Sequence, residues 1–218
     1  MKKTAFFLVG DYWHHKESME PLCDLIFPEN EWRVVFTENP KDFLEMTQAP
    51  EIIISFKDPI ENDQIPTPVW CDEEWTEKLF DCVRKKGTGV ILAHAAVTDL
   101  EEDHTIVKDM IQASFIGHPR PCPVTFSPIK EHEILQGVSE FTFPENDEHY
   151  MMKMLKDHKA EILAQTVSEN GTQPGLWVSK IGNGRICCIT PAHSLRNLTY
   201  EPFVRLLKNM VEWCCRRI

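Results

Sequence analysis

Residues 72–96, DEEWTEKLFDCVRKKGTGVILAHAA, hold a helix, a turn and a strand in direct succession. Asp72 stands where a helix needs an N-cap, with a short carboxylate able to accept the orphan amides of the first turn. Trp75, Leu79, Phe80 and Val83 recur with the helical period and predict a helix over 72–86 with one buried stripe. Gly87 and Gly89 end it. Val90–Ala93 is a short apolar run without polar alternation, the pattern of a strand covered on both faces. Outward from this unit the same alternation continues. TAFFLVG (4–10), WRVVFT (32–37) and EIIISF (51–56) read as strands, with helices over 17–27 and 41–46 between them. Strands alternating with helices at this spacing predict an α/β fold: a doubly wound parallel sheet with helices on both faces.

The second half changes character. Pro119, Pro121 and Pro123 crowd one segment, and strands are expected over 124–129, 149–154, 161–167 and 176–181 with no long helix between them. That predicts an antiparallel extension of the sheet. A Gly182-Asn183-Gly184 turn leads into RICCIT (185–190), again a buried strand, and a helix over 201–213 closes the chain. No linker, repeat or low-complexity segment interrupts residues 1–218, so a single domain is expected.

Charge narrows the partners. The 218 residues carry 23 Lys and Arg against 34 Asp and Glu, a formal net charge of −11. So acidic a chain repels nucleic acid and anionic lipid unless its basic residues cluster, and they do not. No apolar stretch approaches the ~18 residues of a membrane span. The apolar run after Lys2 and Lys3 is too short for a secretory leader. Eight cysteines occur without a CxxC pair. Buried, reduced thiols in a cytoplasmic protein are expected.

In open parallel sheets, ligands bind beyond the carboxyl ends of the strands. Asp11-Tyr12-Trp13-His14-His15 follows the first strand, His94-Ala95-Ala96 the fourth, and Ala192-His193-Ser194 the strand at 185–190. All three places carry histidine, which can act as acid, base or metal ligand near neutral pH. Gly117-His118-Pro119 and Asp147-Glu148-His149-Tyr150 are candidates for the same site. An acidic group there can orient an imidazole, act as a base or complete a metal shell. His94 is expected on an exposed turn facing a pocket, with Ala95 and Ala96 leaving room for a ligand. On that reading His94→Ala costs no more than about 1 kcal/mol of stability. There is no GxGxxG after the first strand, no Walker loop and no GxSxG elbow.

Taken together, GDYWHH, GVILAHAAV, GHPRP, NDEHY and GNGRICCITPAHS…FVRLLKNMVEWC resemble the trehalose-utilisation (ThuA-like) family, in order along nearly the whole chain. Gly-Thr-Gly stands where that family tends to have a run of glycines, and PAHS where a GHD-like stretch is usual. The resemblance implies a flavodoxin-like, class I glutamine-amidotransferase-like fold. It also implies a role in carbohydrate metabolism around trehalose and 3-keto-glycosides. The amidotransferase nucleophile would sit at the turn after the fourth strand, where this chain has His94, so glutaminase activity is not expected.

The expected function is an enzyme acting on such sugars by hydrolysis, elimination or isomerisation. His94, His193 and Glu148 are the catalytic candidates. Asp11, Tyr12, Trp13, His14, His118 and Tyr150 are expected to contact substrate, with Tyr12 or Trp13 stacking on a pyranose face. A divalent, zinc-like metal bound by a subset of His14, His94, His118, Glu148 and His193 is the cofactor to test. The alternative is a non-catalytic sugar-binding or regulatory module on the same fold. The expected partner is a small carbohydrate, without nucleic acid or membrane; a homo-oligomer is left open.

Overall fold

The computed structural model describes residues 2–61 and 69–218. The apolar runs become strands in chain order: β1 (Lys3–Leu8), β2 (Trp32–Thr37), β3 (Ile52–Ser55) and β4 (Gly89–Ala93). β5 (Ala113–Gly117), β6 (Thr125–Pro128), β7 (Phe141–Thr142) and β8 (Met151–Met154) follow. Then come β9 (Glu161–Ser168), β10 (Gly171–Ile181) and β11 (Gly184–Ile189). The helices are α1 (Glu20–Ile26), α2 (Lys41–Glu45), α3 (Glu73–Asp81), α4 (Leu195–Leu198) and α5 (Glu201–Cys214). α3 runs on as a π-helical turn over Cys82–Lys86, and Gly87, in the left-handed region at φ 76°, ends it. Asp72 caps α3 by accepting a hydrogen bond from the Trp75 amide at 2.9 Å.

Nine strands form one sheet in the order β2-β1-β3-β4-β11-β10-β9-β6-β7. The pairings from β2 through β11 are parallel, and those from β11 through β7 antiparallel. The parallel strands are the five anticipated ones. β1 shows why they are apolar throughout. Ala5 and Phe7 enter a core shared with Leu22 and Ile26 of α1 and Phe203, Leu207 and Met210 of α5. Phe6 and Leu8 enter a second core with Phe43 of α2 and Trp75, Leu79 and Phe80 of α3. Each fully buried side chain of this size is worth ~1.5–3 kcal/mol, so neither face tolerates a polar alternation. The chain is thus an α/β fold on a large mixed sheet, parallel over its first five strands and flanked by helices, consistent with a flavodoxin-like fold.

Two expectations need correction. Residues 149–154 do not extend the main sheet: β8 pairs antiparallel with β5 in a separate two-stranded ribbon. β10 is longer than 176–181, because Pro174 and Gly175 sit inside it at a register shift rather than ending it.

Among the described residues, no helix is long and apolar enough to cross a membrane. All eight cysteines are free thiols, seven of them buried.

Candidate functional site

The site lies at the carboxyl edge of the parallel strands. Beyond β1 the chain turns on Asp11. Its Oδ1 accepts the amides of Trp13 at 2.8 Å and His14 at 2.7 Å, and its Oδ2 the amide of Asp58 at 2.9 Å. The same carboxylate takes the Nδ1–H of His14 at 2.8 Å. Burial works to raise the Asp11 pKa, but His14 and these amides outweigh it and hold it below the usual value. The Asp11 side chain is fully buried. Through its hydrogen bond with the ring N–H it positions His14.

The turn after β4 places His94 at φ 50°. A non-glycine residue in that region carries a strain of order 1–3 kcal/mol, kept only where the surroundings enforce it. Here they do. His94 Nδ1 donates to the carbonyl of Thr190 at 2.9 Å, and its ring stacks on Tyr150 with centroids 4.5 Å apart. His94 is 0% exposed, and Ala95 and Ala96 are buried as well. The expectation of an exposed elbow beside open space is corrected accordingly: the turn is packed into the molecule. After β11, Asp147 clamps the third loop, its carboxylate accepting the amides of Ala192 at 2.6 Å and His193 at 2.8 Å.

These three loops and the segment leading into β8 bring four side chains together. His193 Nδ1 lies 3.1 Å from His14 Nε2 and 3.1 Å from His94 Nε2. Glu148 Oε2 is 3.3 Å from His193 Nδ1 and 3.4 Å from His94 Nε2. One donor atom from each of His14, His94, Glu148 and His193 falls within 4.8 Å of every other. The Tyr150 hydroxyl reaches His94 Nε2 at 3.1 Å. His118 stands outside this group, its Nε2 3.8 Å from the other Glu148 oxygen, Oε1. Its Nδ1 donates to the carbonyl of Pro119 at 2.9 Å. Tyr12 and Trp13 are exposed and meet edge-on, with ring centroids 5.1 Å apart.

The electrostatics follow from this crowding. Glu148 raises the pKa of His193 above the ordinary imidazole value, against the opposing effect of burial. Burial works to raise Glu148, but hydrogen bonds and charge from His193 and His94 hold it well below the carboxylate range. Burial lowers His14, with Asp11 opposing, and raises Tyr150. Burial also raises the thiols of Cys23 and Cys71, each pushed up to about 12. No cysteine joins the cluster among the described residues.

The sequence reading reached His14, His94, His193, Glu148, Tyr150 and His118 from their places after strands or beside acidic residues. It missed the Thr190 carbonyl, which has no signature in a residue type. It also missed Asp58, 4% exposed and with its pKa raised to about 7 chiefly by burial, which braces the Asp11 loop.

The ThuA family model, described as trehalose utilisation, matches residues 5–214. No curated protein matches the chain. Among solved structures, a putative ThuA-like protein from Parabacteroides merdae ATCC 43184 superposes with a TM-score of 0.77. It is 16% identical, over 99% of this chain and 90% of that one. A cytoplasmic protein from Salmonella typhimurium LT2 has a TM-score of 0.64 at 13% identity, over 98% of this chain and 99% of that one. A β-galactosidase from Rahnella sp. R3 has a TM-score of 0.59 at 10% identity, over 95% of this chain and 31% of that one. At such identities these likenesses speak for the fold alone. The family match spans nearly the whole sequence and takes in the loops that carry His14, His94, Glu148 and His193: the chain belongs to the ThuA, trehalose-utilisation family.

Proposed function

We propose that this protein is an enzyme acting on small carbohydrates, trehalose-related glycosides or their 3-keto forms. Its chemistry is acid–base or metal-assisted proton transfer at the His/Glu cluster, without glutaminase activity. One observation carries the reading: three imidazoles and a carboxylate from four separate segments converge at the carboxyl edge of the sheet. The family's link to trehalose utilisation supplies the substrate class. His94, His193 and Glu148 are the reacting groups. Asp11 and Asp147 hold the loops that present His14 and His193. Tyr150 and His118 border the cluster, and the exposed Tyr12 and Trp13 offer aromatic faces for a pyranose ring.

A sugar-binding module needs donors and aromatic faces. It has no use for an opposed pair such as Glu148, held ionised, and His193, biased towards its charged form. We take residues 1–218 as one doubly wound domain working in a reducing, cytoplasmic setting, in keeping with its free thiols.

The test is incubation of purified protein with trehalose, a 3-keto-glycoside and glutamine. A glycoside should be converted and no ammonia released from glutamine. Sugar binding without conversion would favour the module, and ammonia release would overturn the absence of glutaminase activity.

A further inference from the structure

We propose that His14, His94, His193 and Glu148 form the binding site of one divalent transition-metal ion of the zinc class. The inference rests on the cluster invoked above and deepens that reading, making its chemistry metal-assisted.

The first argument is a count of protons. His14 gives its Nδ1–H to the Asp11 carboxylate, so in the neutral ring Nε2 carries a lone pair. His94 gives its Nδ1–H to the Thr190 carbonyl, which only accepts, so its Nε2 is also a lone pair. Both lone pairs and the Glu148 carboxylate oxygen face the single Nδ1 of His193. One N–H there, with the Tyr150 hydroxyl on His94, must serve three acceptors. Convergent acceptors with too few protons are what a cation resolves.

The second argument is distance. Four of the separations between donor atoms are 3.1, 3.1, 3.3 and 3.4 Å. A tetrahedron with metal–ligand bonds of ~2.0–2.1 Å has edges of about 3.3–3.4 Å. Those four edges match a tetrahedral coordination shell to within a few tenths of an ångström, while the other two, within 4.8 Å, would have to close as an ion is bound.

The third argument is the support behind the ligands. Metal-binding histidines donate their second ring N–H to a carboxylate or a backbone carbonyl, which fixes tautomer and orientation. His14 and His94 show one of each. Three imidazoles and one carboxylate, with no thiolate, suit Zn2+ and its first-row neighbours. Ca2+ and Mg2+ prefer oxygen cages. His14 and His94 are buried, whereas the side chains of His193 and Glu148 are 37% and 17% exposed, so a substrate oxygen would approach from their side. With four protein ligands the tetrahedral shell is filled, so Lewis-acid polarisation of a sugar oxygen would need a fifth coordination position on that exposed side.

The experiment is calorimetric titration of chelator-stripped, reduced protein with Zn2+ and separately with Mg2+, followed by Co2+ loading and an absorption spectrum. One equivalent of Zn2+ should bind and Mg2+ should not. The Co2+ spectrum should lack sulfur charge-transfer bands. Glu148→Gln and His193→Asn, both partly exposed and close in size to the original, should each abolish or greatly weaken Zn2+ binding. Asp11→Asn should weaken it by ~10–100-fold through His14. Wild-type protein that binds no Zn2+, binding unchanged in both ligand variants, or a thiolate Co2+ spectrum would each overturn the inference. Zinc bound at this site without conversion of any sugar would leave the inference standing and count against the proposed substrates. Sugar turnover in fully metal-free protein would do the reverse.

Discussion

A left-handed backbone at a buried histidine is expensive, and His94 shows what holds it there. Its ring is fixed by the Thr190 carbonyl at one nitrogen, by Tyr150 on its face, and by His193 at the other nitrogen. His94→Ala removes a buried hydrogen bond, vacates packed volume and leaves alanine in the same strained conformation. We expect a loss of ~2–4 kcal/mol, larger than a turn residue would cost from sequence alone. Thermal unfolding should shift down by roughly 4–16 °C for a chain of this size, and a shift under about 2 °C would refute the packing described. The positions of His14, His94 and His193 were legible because strand ends are legible and ligands gather beyond them. The tautomers were not. They depend on a carbonyl at Thr190 and on an aspartate at 11 turned inward instead of outward.

Elements were easiest to read where burial is two-sided. β1, β3, β4 and β11 announce themselves as apolar runs, and α3 by its Asp72 cap and apolar stripe. β5 was illegible: ASFIG is short and half-exposed, so it shows no period. Without β5 as a visible partner, β8 was assigned to the main sheet. β10 begins before the expected 176–181, and Pro174 and Gly175 inside it belong to an irregularity that serves the site. Gly175 accepts the Thr190 amide at 3.1 Å, steadying the residue whose carbonyl orients His94. A Cβ at Gly175 would stand 2.9 Å from the Gln165 carbonyl carbon and 2.9 Å from the Thr166 amide of β9, both backbone atoms. Gly175→Ala should therefore force β9 and β10 apart and cost ~1–3 kcal/mol, read as a lowered midpoint in urea. An unchanged midpoint would mean that the strands do not approach this closely.

Across the whole molecule, the parallel half builds the platform and the later half completes the site. Loops after β1, β4 and β11 supply the three imidazoles, while Glu148 and Tyr150 arrive from the segment leading into β8. No single stretch of sequence contains the cluster, and the pairing of Glu148 with His94 and His193 is a consequence of topology. The ThuA match ties the chain to trehalose utilisation, and the cluster's position at the carboxyl edge of the sheet is where such folds place ligands. The most direct test of its role is the steady-state turnover of Glu148→Gln on whichever glycoside the wild-type protein converts. The substitution keeps the shape of the side chain and removes its charge. Turnover should fall by ~10²–10⁴-fold with the fold intact by circular dichroism. A Glu148→Gln protein that folds and retains full turnover would contradict the assignment of the chemistry to this cluster.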